Sequence, residues 1–288
     1  MQRFAWILTA AAALAQIPSR YQALPSWGEL PSGLEWTSPS SVNAIGANIT
    51  VFRRASPTTI ELTTDGKFIR SWGDNAMYSV AHSIDVDREG NVWTTDSADH
   101  VVYKFDRNGK LLMTLGERKV PGGNDSKDHF NRPSDVAFAA NGDIFITDGY
   151  ENSRVVKFSK DGKFLKAFGG TKGAALGEFN LPHAVVIDSR GRLMIADREN
   201  ERIVVMDQEG KFLAEWKGLG KPSGLAITPD DTVFISDVDA GTVTLAKDGK
   251  AVEVIRDLGR PHNIGLDAAG NLYTADPRGK MVRKVVKR

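Results

Sequence analysis

Five histidines occur in the 288 residues (His82, His100, His129, His183 and His262), and three of them share one local setting. His82 opens "HSIDVD", His183 stands in "LPHAVVID" and His262 in "RPHNIGLD", each just ahead of a short apolar run. An aspartate follows each at the same interval: Asp96, Asp197 and Asp276. Three imidazoles brought together offer a metal ion three neutral nitrogen donors and leave a coordination position open. That is the pattern of catalytic rather than structural zinc sites. Whether these three can meet depends on the scaffold that carries them.

The scaffold is a repeat. "SDVAFAANGDIFITD" from Ser134 and "SGLAITPDDTVFISD" from Ser223 follow the same plan and end at Asp148 and Asp237. A degenerate copy, "SVNAIGANITVFRR", begins at Ser41, with a shorter turn and arginine where the aspartate would fall. Most copies continue into two further apolar strands joined by a D-G, N-G or E-G turn, as in "SRVVKFSKDGKFLKAFG". Such turns supply the positive φ of tight hairpins. Four antiparallel strands at a period of about 40 residues mark a propeller blade. Six copies predict an all-β fold, a six-bladed β-propeller over residues 37–288. The histidines fall in copies two, four and six, and serine takes their place in the others. Alternate blades lie 120° apart, so the three imidazoles are expected to converge on the axis. The last copy, ending "MVRKVVKR", has no fourth strand. A ring must hide its edges, so residues 16–36 are expected to close the last blade.

Hairpin topology returns each second strand to the histidine end, which puts the loops after the aspartates around the candidate metal. Those loops hold Tyr150 in "DGYENSR", Arg198 in "DRENER", and Arg53 and Arg54 in "FRRAS". A tyrosine and arginines beside a metal can serve as a proton acceptor and a carboxylate clamp. Arg154 and Arg202 read as structural bridges between blades. His100 and His129, outside the shared register, read as structural too.

The chain resembles the NHL-type propellers, with "ENSRVV" and "ENERIV" after the aspartates typical of them. Through "HSIDVDREGNVWTTD", "HFNRPSDVA", "DGYENSRVVKFS", "LPHAVVID", "ADRENERI" and "RPHNIGLD" it resembles peptidyl-α-hydroxyglycine α-amidating lyases. The resemblance implies zinc on His82, His183 and His262, a catalytic Tyr150, and active-site arginines at Arg198 and Arg54. It implies cleavage of the C–N bond of a peptidyl-α-hydroxyglycine to an amide and glyoxylate. It also implies a structural calcium where the family carries aspartate and this chain has Asn263, a neutral and weaker ligand. The family's methionine before the third Pro-His is replaced by Arg260, and no copper monooxygenase domain is expected within these 288 residues. Two other readings stay open: a non-catalytic binding propeller, and a lactonase-like propeller hydrolase.

Composition bounds the partners. Lys and Arg total 37 against 36 Asp and Glu, a net charge of +1, which gives no basic stripe for nucleic acid. The absence of cysteine excludes disulfides, thiolate ligands and a cysteine nucleophile. "MQRFAWILTAAAALAQ" has a positive n-region, an apolar stretch and an A-x-A site at Ala13–Ala15, so residues 1–15 read as a signal peptide of an exported protein. The stretch is too short to span a membrane. A monomer acting on a small-molecule or peptide substrate is expected.

Overall fold

The computed structural model describes residues 19–74 and 77–288; the signal-peptide reading lies outside them. The described residues form six four-stranded antiparallel sheets and no helix long and apolar enough to cross a membrane. Five sheets are simple meanders over residues 39–72, 81–115, 133–169, 182–217 and 225–255. The sixth joins residues 263–287 to Tyr21–Ala23. First strands touch first strands from blade to blade and back to the start, so they line the central channel and the ring is closed.

Alternation along each strand sends apolar side chains into the gaps between neighbouring blades. Phe145 and Val155 of blade three pack with Leu193, Ile195 and Val204 of blade four, and equivalent clusters fill the other junctions. Gly162, at φ +78°, takes the left-handed position of the outer hairpin in blade three. The ring is sealed by Tyr21 pairing with Lys287, Gln22 with Val286 and Ala23 with Val285. Trp27 then packs edge-on against Tyr273, 5.0 Å between centroids, over the junction of the last and first blades.

The repeated aspartates do not reach the axis. Each caps the chain as it enters its own inner strand: Asp148 accepts from Asn131 N (2.8 Å), Asp197 from Asn180 N (2.7 Å) and Asp276 from Arg260 N (2.9 Å). The regular spacing therefore records a mechanical link, since the aspartate ends the second strand and fixes the backbone just before the channel residue. In blades three and four an asparagine and an arginine complete the clamp. Arg154 Nε lies 2.9 Å from Asp148 with both side chains essentially unexposed, and its other nitrogens bond the carbonyls of Asn124 and His129. Arg202 and Asp197 repeat the pairing at 2.8 Å. Removing one partner of such a buried pair leaves an uncompensated charge. Arg154→Met is expected to cost about 3–5 kcal/mol in urea unfolding; a loss below about 1 kcal/mol would refute this role.

Blade one departs from the register read from sequence. Pro39 pairs with Arg53 as Pro133 does with Asp148 and Pro182 with Asp197. The channel position is therefore Ser40, not Ser41, because the shortened turn between Ile45 and Asn48 displaces the alignment by one. Arg53, in the aspartate's place, clamps in its own way, bonding the carbonyls of Glu35, Ser56 and Pro57. It takes no part in the axial site.

Candidate metal centre

His82, His183 and His262 meet on the axis. Their ring centroids are 5.0, 4.8 and 5.2 Å apart in pairs, and one ring nitrogen from each lies within 4.8 Å of the others. The rings are oriented by backbone rather than by side chains. His82 Nδ1 lies 2.6 Å from Ser134 O, His183 Nδ1 2.8 Å from Ser223 O, and His262 Nδ1 2.8 Å from Ser40 O. Each partner opens the inner strand of the following blade. A carbonyl can only accept, so Nδ1 carries the proton and every Nε2 presents a lone pair. Each histidine ring is thus held by the backbone of the blade that follows it, at the position where serine stands.

Burial, above all, keeps these imidazoles neutral. It pushes His82 and His183 well below the ordinary histidine range, helped by His262 and by Arg54 or Arg198; His262 falls to about 4. Tyr150 Oη lies 2.9 Å from His82 Nε2 and 3.0 Å from His183 Nε2. One hydroxyl proton can serve only one of these nitrogens at a time, so three converging lone pairs outnumber it. A buried, neutral, nitrogen-only triad of this kind fits a zinc-class cation, whose charge would satisfy all three. The orienting carbonyls are the outer-shell partners such ligands need.

Arginines surround the tyrosine. Burial holds the Tyr150 phenol above its usual value, outweighing the downward pull of Arg198, Arg54 and Arg132, the first of which also acts through a hydrogen bond. Arg198 sits in the short 3-10 turn Arg198–Asn200 after Asp197. Arg54 Nε donates to Ala81 O at 3.1 Å, burial holds it below the usual arginine range, and its charge is felt by all three imidazoles. Tyr150, Arg198 and Arg54 are therefore brought to the triad together. Arg132 was not foreseen: its guanidinium lies 5.2 Å over the Tyr150 ring. A signal existed, since Arg132, Lys221 and Arg260 all stand directly before the proline that precedes a channel residue. Arg260 and Lys221 are engaged at the rim, with Asp239 at 3.0 Å and Glu199 at 2.8 Å. Asn263 is buried beside His262, its amide oxygen accepting from Ile264 N at 2.6 Å. His100 Nδ1 accepts from Arg132 N (3.0 Å), and His129 bonds Asp128 (2.9 Å), both away from the triad.

The NHL repeat family matches residues 130–158 and 179–206. NHL repeat-containing protein 3 of Homo sapiens is 32% identical over 255 residues, covering 80% of this chain and 73% of that protein. The chain belongs to the NHL-repeat family. Within it, this NHL-repeat propeller is related to the peptidyl-α-hydroxyglycine α-amidating lyases. Lyase 2 of Drosophila melanogaster is 35% identical over 186 residues, covering 64% of this chain and 44% of that one. The propeller spans less than half the length of the lyase relatives it matches. Among solved structures, a streptogramin B lyase superposes with a TM-score of 0.62 at 13% identity, covering 93% of this chain and 98% of that one. That likeness concerns the fold alone.

Proposed function

We propose that the protein is a zinc-dependent lyase. It would cleave the C–N bond of a peptidyl-α-hydroxyglycine-like substrate and release an amide and glyoxylate. What carries this reading is the placement of the Tyr150 hydroxyl on Nε2 of both His82 and His183, with Arg54 and Arg198 beside it. The names of the lyase relatives point the same way.

Bound to the three Nε2 atoms, zinc would supply Lewis-acid polarisation of the substrate hydroxyl. The chain's own groups do the rest. Arg198 and Arg54 hold the substrate carboxylate, a task suited to the forked guanidinium. Tyr150 Oη accepts the hydroxyl proton as the C–O bond becomes a carbonyl and the C–N electron pair leaves with nitrogen. It then returns that proton to the departing amide nitrogen, so no net proton is consumed. To accept a proton the phenol must first lose its own. The three arginines favour this, while burial, the larger effect, opposes it, so a cation on the imidazoles would have to supply the remaining pull.

Zinc-loaded protein incubated with α-hydroxyhippurate is expected to release glyoxylate; release no faster than from zinc alone would end this reading. Arg198→Ala is expected to raise the apparent KM by about 10–100-fold, the worth of a charged hydrogen bond of about 1.5–3 kcal/mol. The fall in kcat should be no larger than that rise. An unchanged KM would remove Arg198 from carboxylate binding.

A further inference from the structure

Basic side chains gather round the mouth above the histidine triad. Arg54 belongs to blade one and Arg198 to blade four, while Arg132, Lys221 and Arg260 stand where the chain enters blades three, five and six. The lyase reading employs Arg54 and Arg198 on a single carboxylate, so the other three are surplus to it. Acids answer those three among the described residues. Glu151 lies 3.3 Å from Arg132, Glu199 2.8 Å from Lys221, and Asp239 3.0 Å from Arg260 and 3.9 Å from Lys221. Lys221 is therefore committed to two carboxylates. Arg132 and Arg260 each have one, and each keeps a buried Nε with no hydrogen-bond partner.

Of these, Arg132 is the one placed against the reacting groups. Its guanidinium lies 5.2 Å over the Tyr150 ring, and the phenol feels its charge after those of Arg198 and Arg54. Tyr150 is the group that returns a proton to the departing nitrogen, so the acyl chain bonded to that nitrogen begins beside Arg132. A buried guanidinium nitrogen without an acceptor is costly, and a carboxylate on that chain would supply one. The pair with Glu151 does not stand in its way. Both side chains are about half exposed, at 40% and 54%, and such pairs are worth little. Arginine's forked donors suit a carboxylate. Resting on the lyase reading, which sets the side the acyl chain takes, we propose that Arg132 binds a second carboxylate, carried by the residue that precedes the α-hydroxyglycine. The preferred substrate is then a peptidyl-α-hydroxyglycine whose adjoining residue is aspartate or glutamate.

The test compares two peptides that differ in one group and, lacking the α-hydroxyl, cannot react: N-acetyl-glutamyl-glycine and its glutaminyl counterpart. Titration calorimetry on zinc-loaded protein is expected to show the glutamyl peptide binding about 3–10-fold more tightly, between the worth of an exposed ion pair and that of a charged hydrogen bond. The gap should narrow as salt is raised. Arg132→Gln should close it by weakening the glutamyl peptide alone, and Arg132→Lys should keep part of it. The backbone of these variants should hold, since Arg132 N donates to His100 Nδ1 at 3.0 Å whatever the side chain. Glu151→Gln, which frees the guanidinium, should widen the gap. Equal binding of the two peptides by the wild type, or binding of neither, would overturn the proposal. So would a gap that survives Arg132→Gln, or one that Arg260→Met removes in its stead. Glyoxylate release from α-hydroxyhippurate, which has no acyl-side carboxylate, reports on the lyase reading by itself. Release without a gap removes the subsite alone, and a gap without release removes the lyase alone.

Discussion

Tyr150→Phe is expected to lower glyoxylate turnover by about 10²–10⁴-fold, the usual contribution of a positioned general acid or base, while zinc stays bound. The substitution deletes one oxygen, the atom 2.9 and 3.0 Å from the two imidazoles. The ring's packing under Arg132 is kept, so the fold is left alone. Each imidazole remains held by its serine carbonyl, and metal content measured on the purified variant should match the wild type. If Tyr150→Phe released glyoxylate at a near-normal rate, the tyrosine would have no part in proton transfer.

His183→Ala is the second large effect. Two nitrogens cannot complete the site, and His183 is only 2% exposed, so no water-borne ligand stands ready to replace it. Zinc affinity should fall by more than about 100-fold, the upper figure for removing a mere outer-shell partner, and turnover should vanish with the metal. Ser223 O loses its donor, a cost of about 1–3 kcal/mol that a ring with its inter-blade cores intact can absorb. The circular dichroism of the variant should stay that of the wild type. A variant that kept one zinc per chain would show that the ion lies elsewhere.

Much of this was legible in the sequence because a propeller is periodic. The regular spacing from channel residue to aspartate is the length of two paired strands and their turn, so it survived in every blade that kept the aspartate. It failed where blade one shortened the turn, and only strand pairing shows Ser40 to be the channel residue. The three histidines and Tyr150 could be placed by topology alone, since topology decides which end of a strand faces the axis. The serine carbonyls could not: backbone atoms have no residue signature, and serine's side chain, the visible part, is not what holds the ring. Arg132 has a signal in its register, since it stands before the proline of its blade's inner strand as Lys221 and Arg260 do in theirs, but only the fold shows its guanidinium over the Tyr150 ring of the same blade.

The latch formed by Tyr21–Ala23 carries a consequence for how the ring is made. Its partner for Tyr21 is Lys287, 266 positions later (287 − 21). At about 5–20 residues per second of synthesis, the first strand leaves the ribosome roughly 15–50 s before the strand it must join. During that interval the growing fan of blades ends in an open flank on each side, and Tyr21–Ala23 waits without a neighbour. A second copy emerging nearby could offer its own last blade to that waiting strand, so crowded polysomes are where exchange between chains would compete with closure.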